Sequence, residues 1–396
     1  MGESKGIQGN ELGPHAGARR SDGPATPPHW FFRNGGRLRR LLAIPFVLGC
    51  LAVAALTLLY RCPSVNPWTC FIIIWPPLLW MGLVLVGMLI GIPAVRTRWL
   101  LCGAVIWLAG LAMSDDVAQW FKLFPGRSRE RFEALRWGVR SRLARDASPH
   151  GPVDMPLRVL TWNVRFGRAA PSDEYARRIA ELDPDIVFIQ YYSSRTMDEG
   201  IKRSPVLRNY YFTRHEGNAI LSRFPIIPLP SATKIPNQCC ACKIEVQPNF
   251  QITCVNVHFI RLLLQEKLQI RNWRPSLIEK EAEGMQADVD ELAGFLSSVE
   301  GPIILGGDFN LQPSYPALSR LSRDFKDCFA ANGYGWGKTV PSKLPALRID
   351  IIFVPRDAAV FYAGAVSTRL SLHRMTLAEV TISPPQTPRR TTSAQP

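Results

Sequence analysis

Acidic residues are scarce in this chain. Its 396 residues include 32 Asp and Glu but 47 Lys and Arg, which gives a formal net charge of +15. The deficit is uneven, because residues 1–154 hold 18 basic and 9 acidic residues, whereas residues 155–382 hold 27 and 23. Long-range attraction of a polyanion needs a basic face on the folded domain itself. The net charge therefore does not by itself indicate a nucleic-acid-binding protein.

The paired Cys and His spacings of zinc sites are also missing, although the chain has nine cysteines. Cys239, Cys240 and Cys242 lie close together without histidines at the expected intervals. We expect neighbouring strand thiols here rather than a metal site. Cys62 and Cys70 flank a short loop between two apolar stretches, and they are a disulfide candidate if that loop is extracytoplasmic.

Charged side chains are absent from three stretches near the amino terminus. Residues 41–60 and 71–95 are twenty and twenty-five residues long, enough to cross a bilayer, whereas residues 99–114 number only sixteen. The third stretch is either a minimal span or a re-entrant segment. We predict transmembrane helices at about these positions and disordered tails at 1–40 and 383–396, which are rich in Gly, Pro and Arg and in Pro, Thr and Ser.

Basic residues around the apolar stretches indicate their orientation. Arg33, Arg37, Arg39 and Arg40 precede the first stretch, and only Arg61 separates it from the second. This distribution predicts a cytoplasmic amino terminus. Three crossings would make the chain a multi-pass integral membrane protein with its soluble domain on the extracytoplasmic side. That side depends on whether residues 99–114 cross.

Residues 115–154 are predicted to form a basic amphipathic linker. Phe132, Leu135, Val139 and Leu143 recur at helical spacing, and Arg occupies much of the remaining surface. Such a helix either lies on anionic lipid headgroups or packs against the domain that follows it.

Polar residues follow a series of apolar strand-like runs in the carboxyl-terminal part. Asp308 and Asn310 belong to the segment Gly307–Asn310, which directly follows the apolar run Pro302–Gly306. If the chain stays extended, side chains at i and i+2 share a face, and the pair is suited to activating and orienting a water molecule. A strand followed by an Asx turn is the alternative interpretation. Comparable polar positions occur in six further segments: Thr161–Arg165, Asp185–Gln190, Gly217–Pro225, Val255–Phe259, Arg348–Val354 and Ser371–Arg374.

Taken in this order, these segments resemble the endonuclease/exonuclease/phosphatase superfamily, which includes deoxyribonuclease-like nucleases, abasic-site endonucleases, neutral sphingomyelinases and inositol phosphate phosphatases. The resemblance covers about residues 155–382. It implies an α/β domain of two packed β-sheets flanked by helices, here preceded by an α-helical transmembrane region. Helical periodicity at 175–182 and 285–296, each before an apolar run, agrees with such a mixture.

The resemblance implies catalytic roles for five residues. Asp308 and Asn310 match the family's water-activating and water-orienting pair, and His258 matches a histidine that contacts phosphate. Asp350 and His373 match a carboxylate–imidazole dyad. In physical terms, imidazolium and amide donors stabilise the negative charge that gathers on the oxygens of a phosphodiester transition state, and Asp350 would favour the protonated imidazole.

The resemblance also implies substrate and metal contacts. Asn163, His258 and Asn218 would contact substrate, while Asn163, Asp308 and Asp350 would be the remaining ligands for Mg²⁺ or Mn²⁺.

Two positions depart from the family's pattern. The Glu that is a principal metal ligand should follow Gln190, but this chain has Tyr191, a neutral phenol that binds a hard cation poorly. Asp185 lies at the other end of the same strand, about 16 Å away, and cannot replace it. The Asp that should precede the last histidine is Leu372.

These observations predict a membrane-anchored, metal-dependent hydrolase of phosphodiester or phosphate ester bonds, of the nuclease, phospholipase or phosphatase type. Its partners would be the lipid bilayer and a phosphate ester substrate, either a phospholipid head group or a nucleic acid. The alternative is a catalytically degenerate domain that binds a phosphate-bearing ligand or a protein partner. Tyr191 and Leu372 favour the alternative, and the retained polar residues favour the enzyme.

Overall fold

A computed structural model describes residues 37–61, 69, 72, 77–112, 119, 121–145, 153–230, 234–260 and 275–385. In those residues the α-helices are α1 (Arg37–Arg61), α2 (Pro77–Gly91), α3 (Thr97–Ala112), α4 (Arg127–Arg145), α5 (Ser172–Ala180), α6 (Ser194–Arg203), α7 (Pro275–Ser297) and α8 (Cys328–Asn332). The strands are β1 (Met155–Asn163), β2 (Ile186–Gln190), β3 (Tyr211–His215), β4 (Asn218–Ser222), β5 (Ile226–Ile227), β6 (Cys239–Gln247), β7 (Phe250–His258), β8 (Ile303–Asp308), β9 (Phe325–Asp327), β10 (Asp350–Pro355), β11 (Ala359–Val366) and β12 (Met375–Ile382). Most of the predicted tails and the Cys62–Cys70 pair lie outside the described residues.

Among the described helices, α1 alone is long and apolar enough to span a bilayer, over Arg40–Leu59. The prediction of three crossings is not supported, because α2 has 15 residues and α3 has 16. Proline limits α2 at its carboxyl end, because Pro93 lies in a 3₁₀ turn (Ile92–Ala94) that follows the helix.

The three apolar helices pack on one another through Phe46, Met88 and their neighbours, but they leave large apolar side chains outside. Only 22% of the apolar window of α1 is buried. Leu51, Leu83 and Val105 are among the exposed residues of α1, α2 and α3. A helix in the core of a soluble protein would be mostly buried, so this exposure is compatible with a membrane anchor.

Two mixed sheets of six strands form the carboxyl-terminal part, as predicted. Their strand orders are β11-β12-β1-β2-β4-β3 and β5-β6-β7-β8-β10-β9. Within them β1 is parallel to β2 and β7 is parallel to β8, and the other pairs are antiparallel. Parallel strands end at the same edge of a sheet, so the residues that follow them are brought together.

Alternation along the strands supplies three apolar layers. Leu157 and Val159 of β1 join the core between the two sheets, whereas Leu160 and Trp162 face α5 and α6 on the outside. A third cluster joins the outer face of the second sheet to α7. The thiols of β6 and β7 are buried and free, with Cys240, Cys242 and Cys254 in the central layer.

Helix α4 packs against the domain, which favours the second interpretation of the linker. Phe132 is fully buried, but Leu135 is 46% exposed, and Arg136 takes the inward position instead at 2% exposure. Its guanidinium donates to both oxygens of Asp185 at 3.1 Å and to Asp183 at 2.8 Å. A buried guanidinium requires such partners. The helical spacing did not predict that Arg136 would replace Leu135 at the inward position, because the acidic partners of Arg136 lie in the turn before β2, far from α4 in the sequence.

Candidate active site

Three neighbouring strands of the second sheet place three polar residues in one row. β7 and β8 are parallel and pair His258 with Asp308, while β10 runs antiparallel to β8 and pairs Asp350 with Asp308. In the first sheet, β1 ends at Asn163 beside the end of β2. The two sheets face each other at this edge, and the polar row therefore meets Asn163.

His373, in the turn before β12, completes the row. Its Nδ1 lies 3.0 and 3.1 Å from the two carboxylate oxygens of Asp350 and 3.8 Å from Oδ2 of Asp308. Burial by itself lowers the pKa of His373, but the Asp350 and Asp308 carboxylates outweigh it, so the pKa is raised above its ordinary value. The geometry therefore favours an imidazolium held between two carboxylates.

The pKa of Asp308 and the pKa of His258 are shifted in opposite directions. Burial raises the pKa of Asp308, and repulsion from Asp350 adds to it, although His373 and His258 act in the other direction. Burial also lowers the pKa of His258, which favours its neutral form. A buried carboxylate with a raised pKa is a better proton acceptor than an exposed one.

The two asparagines reach Asp308 differently from the expected arrangement. Asn163 donates from Nδ2 to Oδ2 of Asp308 at 2.9 Å, while its Oδ1 accepts from the backbone N–H of Arg165 at 3.0 Å. Because a backbone N–H can only donate, the carbonyl of Asn163 is fixed away from Asp308. Asn163 thus presents a donor to the cluster, and this orientation does not support its predicted role as a metal ligand.

The extended geometry ends at Asp308, so Asp308 and Asn310 do not simply share a strand face. Asn310 has a positive φ of 50°, and its backbone N–H donates to Oδ1 of Asp308 at 3.0 Å, which is the Asx turn considered as the alternative. The Nδ2 of Asn310 donates to the carbonyl of Phe259 at 2.7 Å. The turn keeps Asn310 next to Asp308 by bending the chain.

Tyr191 occupies the place after β2 with a positive φ of 52°. Its ring meets the His258 ring edge-on, with centroids 4.3 Å apart, and the Phe166 ring at 4.6 Å. A row of three rings therefore lies where the family has a carboxylate.

Asn218 is not brought into the cluster. It begins β4, is buried, and donates to the carbonyl of Gln238 at 3.2 Å. It lines a neighbouring open cleft of about 620 Å³ together with Phe166 and three arginines, Arg168, Arg195 and Arg214. Its predicted substrate contact would therefore be made from this cleft.

Two further residues, Ser371 and Gln190, shape the site and were not assigned a role from the sequence. Ser371 donates from Oγ to the carbonyl of Asn163 at 2.6 Å and accepts from the backbone N–H of His373 at 3.2 Å, which joins the last turn to β1. Gln190 donates to Thr161 of β1 in the same sheet and to Asn256 of β7 in the other sheet. Ser371 stood in the last motif and Gln190 in the second, but only contacts between distant segments reveal these roles.

The residues allow a divalent cation at one place and not at another. The position of the missing Glu does not fit, because Tyr191 offers a neutral ring that packs on two others. Asp308, Asp350 and His373 do offer ligand atoms that lie within 4.8 Å of one another, and all three are buried. Carboxylate oxygens suit Mg²⁺ and Mn²⁺.

Comparison with known proteins identifies a family for this part of the chain. A model of the Endonuclease/Exonuclease/phosphatase family matches residues 160–383, which is more than half of the chain. A search of curated proteins finds no match. Among solved structures, an endonuclease/exonuclease/phosphatase from Bacteroides vulgatus is 16% identical, with a TM-score of 0.44 over 57% of this chain and 98% of that one. A mannosyl-6-phosphatase from Bacteroides thetaiotaomicron is 16% identical (TM-score 0.44, 57% and 100% covered). A mutant beta toxin from Staphylococcus aureus with bound magnesium ions is 14% identical (TM-score 0.44, 57% and 99% covered).

Proposed function

Because the chain belongs to the endonuclease/exonuclease/phosphatase family, we propose that its domain hydrolyses a phosphodiester or phosphate ester bond. The observation that carries the proposal is the buried row of His258, Asp308, Asp350 and His373 at one edge of the sheets. Burying two carboxylates beside each other lowers the stability of the fold, so their presence in one buried row indicates a function.

Each residue of the row has a role that its surroundings support. Asp308 accepts the proton of the attacking water, and Asn310 helps to place that water. His373, held by Asp350 at 3.0 Å, presents positive charge to the oxygens of the phosphate. His258 and Asn163 add neutral hydrogen-bond donors. The Asp308 and Asp350 carboxylates would hold Mg²⁺ or Mn²⁺, which when bound neutralises charge on the phosphate oxygens.

A second candidate function rests on Tyr191. The ring that replaces the family's carboxylate packs against His258, which is expected to contact phosphate. A domain altered in this way would bind a phosphate-bearing ligand or a protein partner without cleaving it.

We also propose that α1 anchors the domain in a membrane, with the basic amino-terminal side in the cytoplasm. A single crossing by α1 places the domain on the extracytoplasmic side. The substrates compatible with this position are phospholipid head groups or extracytoplasmic nucleic acid.

The experiment that tests the function is hydrolysis of bis(4-nitrophenyl) phosphate by the purified chain with Mg²⁺, with Mn²⁺ and with EDTA. Wild type is compared with Asp308→Ala and Tyr191→Glu. We expect activity in wild type that is lost in Asp308→Ala, since only the enzyme interpretation requires that carboxylate. An inactive wild type together with an active Tyr191→Glu would instead establish the degenerate domain. Asp173→Ala, at an exposed position on α5, is the matched control and should leave the rate unchanged.

A further inference from the structure

A continuous strip of surface leads from the linker before α4 to the catalytic turn. The backbone N–H of Gly335 donates to the carbonyl of Lys122 at 2.9 Å, which ties the linker to the loop 333–347. In the same loop, Nε1 of Trp336 donates to the carbonyl of Pro345 at 2.7 Å. Ser342 then donates from its backbone to the carbonyl of Leu372 at 2.6 Å, one residue before His373. The segments 121–128, 333–347 and 367–374 therefore lie side by side.

This strip exposes large apolar side chains, which we call the rim: Phe121, Leu123, Phe124, Trp336, Leu344 and Leu372. Phe121, Phe124 and Leu344 are each at least 80% exposed. Leu372 is 43% exposed at the position where the family has an aspartate, directly beside the buried His373. Single exposed leucines are ordinary on protein surfaces, but six large apolar residues along one strip mark an interaction surface.

The charges of the strip have one sign. The three segments contain no Asp or Glu, but they contain Lys122, Arg127, Lys343, Arg369 and Arg374 on the surface. Aromatic and aliphatic side chains interleaved with basic ones suit the interface of an anionic bilayer, where the basic residues are attracted to the anionic headgroups. The complementary partner is a negatively charged surface with an apolar interior.

The chain keeps the rim near the apolar helices. From Ala112, at the end of α3, to Phe121 there are nine residue steps, which span at most about 30 Å even when fully extended. The strip begins at this junction and ends at the site. A membrane that holds α1 is thus within reach of the rim.

From these observations we propose that the rim contacts the bilayer surface and turns the catalytic row toward it, so that the substrate is a phosphate ester carried by a membrane lipid. The inference rests on the membrane anchor and the hydrolase of the proposed function. It adds the direction of the site and the class of substrate, namely a phospholipid head group presented at the interface rather than nucleic acid in solution.

The test places an environment-sensitive fluorophore on the full chain in vesicles of phosphatidylcholine and phosphatidylglycerol. Single labels are attached at Leu344→Cys on the rim, at the native Cys50 in α1 as a report on the anchor, and at Ser297→Cys as the matched control. Ser297 is exposed at the end of α7, at the opposite end of β8 from Asp308. The remaining cysteines outside the domain core are replaced by Ser in each case.

We expect the labels at 50 and 344 to be quenched by a spin-labelled lipid and the label at 297 to stay in water. A water-exposed label at 344 beside a quenched label at 50 would overturn the inference while leaving the anchor intact. A label at 344 that is shielded from water but not quenched by lipid would indicate a protein partner or a second copy, and would also overturn it. A label at 50 that remains in water would remove the anchor on which the inference depends.

A second measurement separates the rim from the chemistry. Leu344→Asp should lower hydrolysis of a fluorescent phospholipid in these vesicles by about tenfold, because a charge replaces an interfacial apolar contact. The same variant should hydrolyse soluble bis(4-nitrophenyl) phosphate at the wild-type rate. Equal rates of phospholipid hydrolysis by wild type and Leu344→Asp would contradict the inference. A wild type that hydrolyses neither the phospholipid nor bis(4-nitrophenyl) phosphate would refute the proposed hydrolase, and the quenching experiment would then decide whether the rim contacts the bilayer.

Discussion

Gly307 of β8 lies against the backbone of β7 next to the catalytic row, and replacing it with alanine should separate these two strands. A Cβ added there would lie 1.9 Å from the carbonyl oxygen of Val257 and 2.7 Å from its carbonyl carbon and nitrogen. Side-chain carbons do not approach backbone atoms within 3.0 Å, so β8 must move away from β7 by about 1 Å or more. The obstacle is the backbone of a neighbouring strand, which cannot rotate aside as a side chain can.

The displacement acts on the site directly, because the next pair in the register is His258 and Asp308. Overpacking of this kind costs about 1–3 kcal/mol, and each weakened ladder hydrogen bond adds about 0.5–1.5 kcal/mol. We therefore expect Gly307→Ala to lower the free energy of unfolding by about 3 kcal/mol. Hydrolysis should fall with it, since the hydrogen bond between Asn163 and Asp308 spans the two sheets.

Gly294→Ala is the matched control, since it makes the same chemical change in a helix where nothing lies within 4 Å of the new Cβ. It should stabilise the chain by about 0.5–1 kcal/mol, because alanine has the higher helix propensity. Both variants are measured by urea unfolding followed by tryptophan fluorescence. A Gly307→Ala variant as stable and as active as Gly294→Ala would refute the close approach of β7 and β8.

Three other substitutions or treatments test separate features of the domain. Arg136→Ala should cost about 1–3 kcal/mol in urea unfolding, because it removes one partner of the buried Asp185 while Arg140 and Arg223 remain, whereas Arg203→Ala in an exposed ion pair should change stability by less than about 1 kcal/mol. His373→Gln should cost more stability at pH 6 than at pH 9 in EDTA: the folded pKa of His373 is raised, so its contribution is fully present below the unfolded pKa of about 6.5 and is lost as the pH rises through the folded value. An equal cost at both pH values would contradict the paired imidazolium. Finally, thiol reagents should leave the buried cysteines of the domain unmodified until the chain unfolds, because burial raises the pKa of these thiols (Cys239, Cys240, Cys242, Cys254 and Cys328). Rapid labelling in the native chain would show that one of them is accessible.

The alternation of apolar residues along the strands carried most of the information about the fold. The predicted strand at Ile186–Gln190 is β2, and the helical spacing of Met285, Val289 and Leu292 lies in α7, where all three are buried. Such patterns are local, and burial of one face follows from them directly. Residue order also indicated which strand ends carry polar side chains.

The sequence predicted less of the structure of the apolar helices and of the linker. Apolar composition located three helices, but proline shortened α2, and α1 alone is long enough to span a bilayer. In α4 the expected apolar face contains Arg136, because acidic residues from a distant turn make its burial favourable. Helical periodicity describes one element and contains no information about charges on the element it meets.

By itself the sequence determined which side chains stand at the ends of the strands, because strand ends and residue types are local properties. Only the tertiary structure decided how they meet. Asn163 and Asp308 are 145 positions apart, and their 2.9 Å hydrogen bond fixes which end of the amide faces the site. The packing of Tyr191 against His258 likewise arises where β2 and β7 come together from opposite sheets. Contacts of this kind depend on the relative placement of whole sheets, which is set by their shared apolar core and not by any single motif.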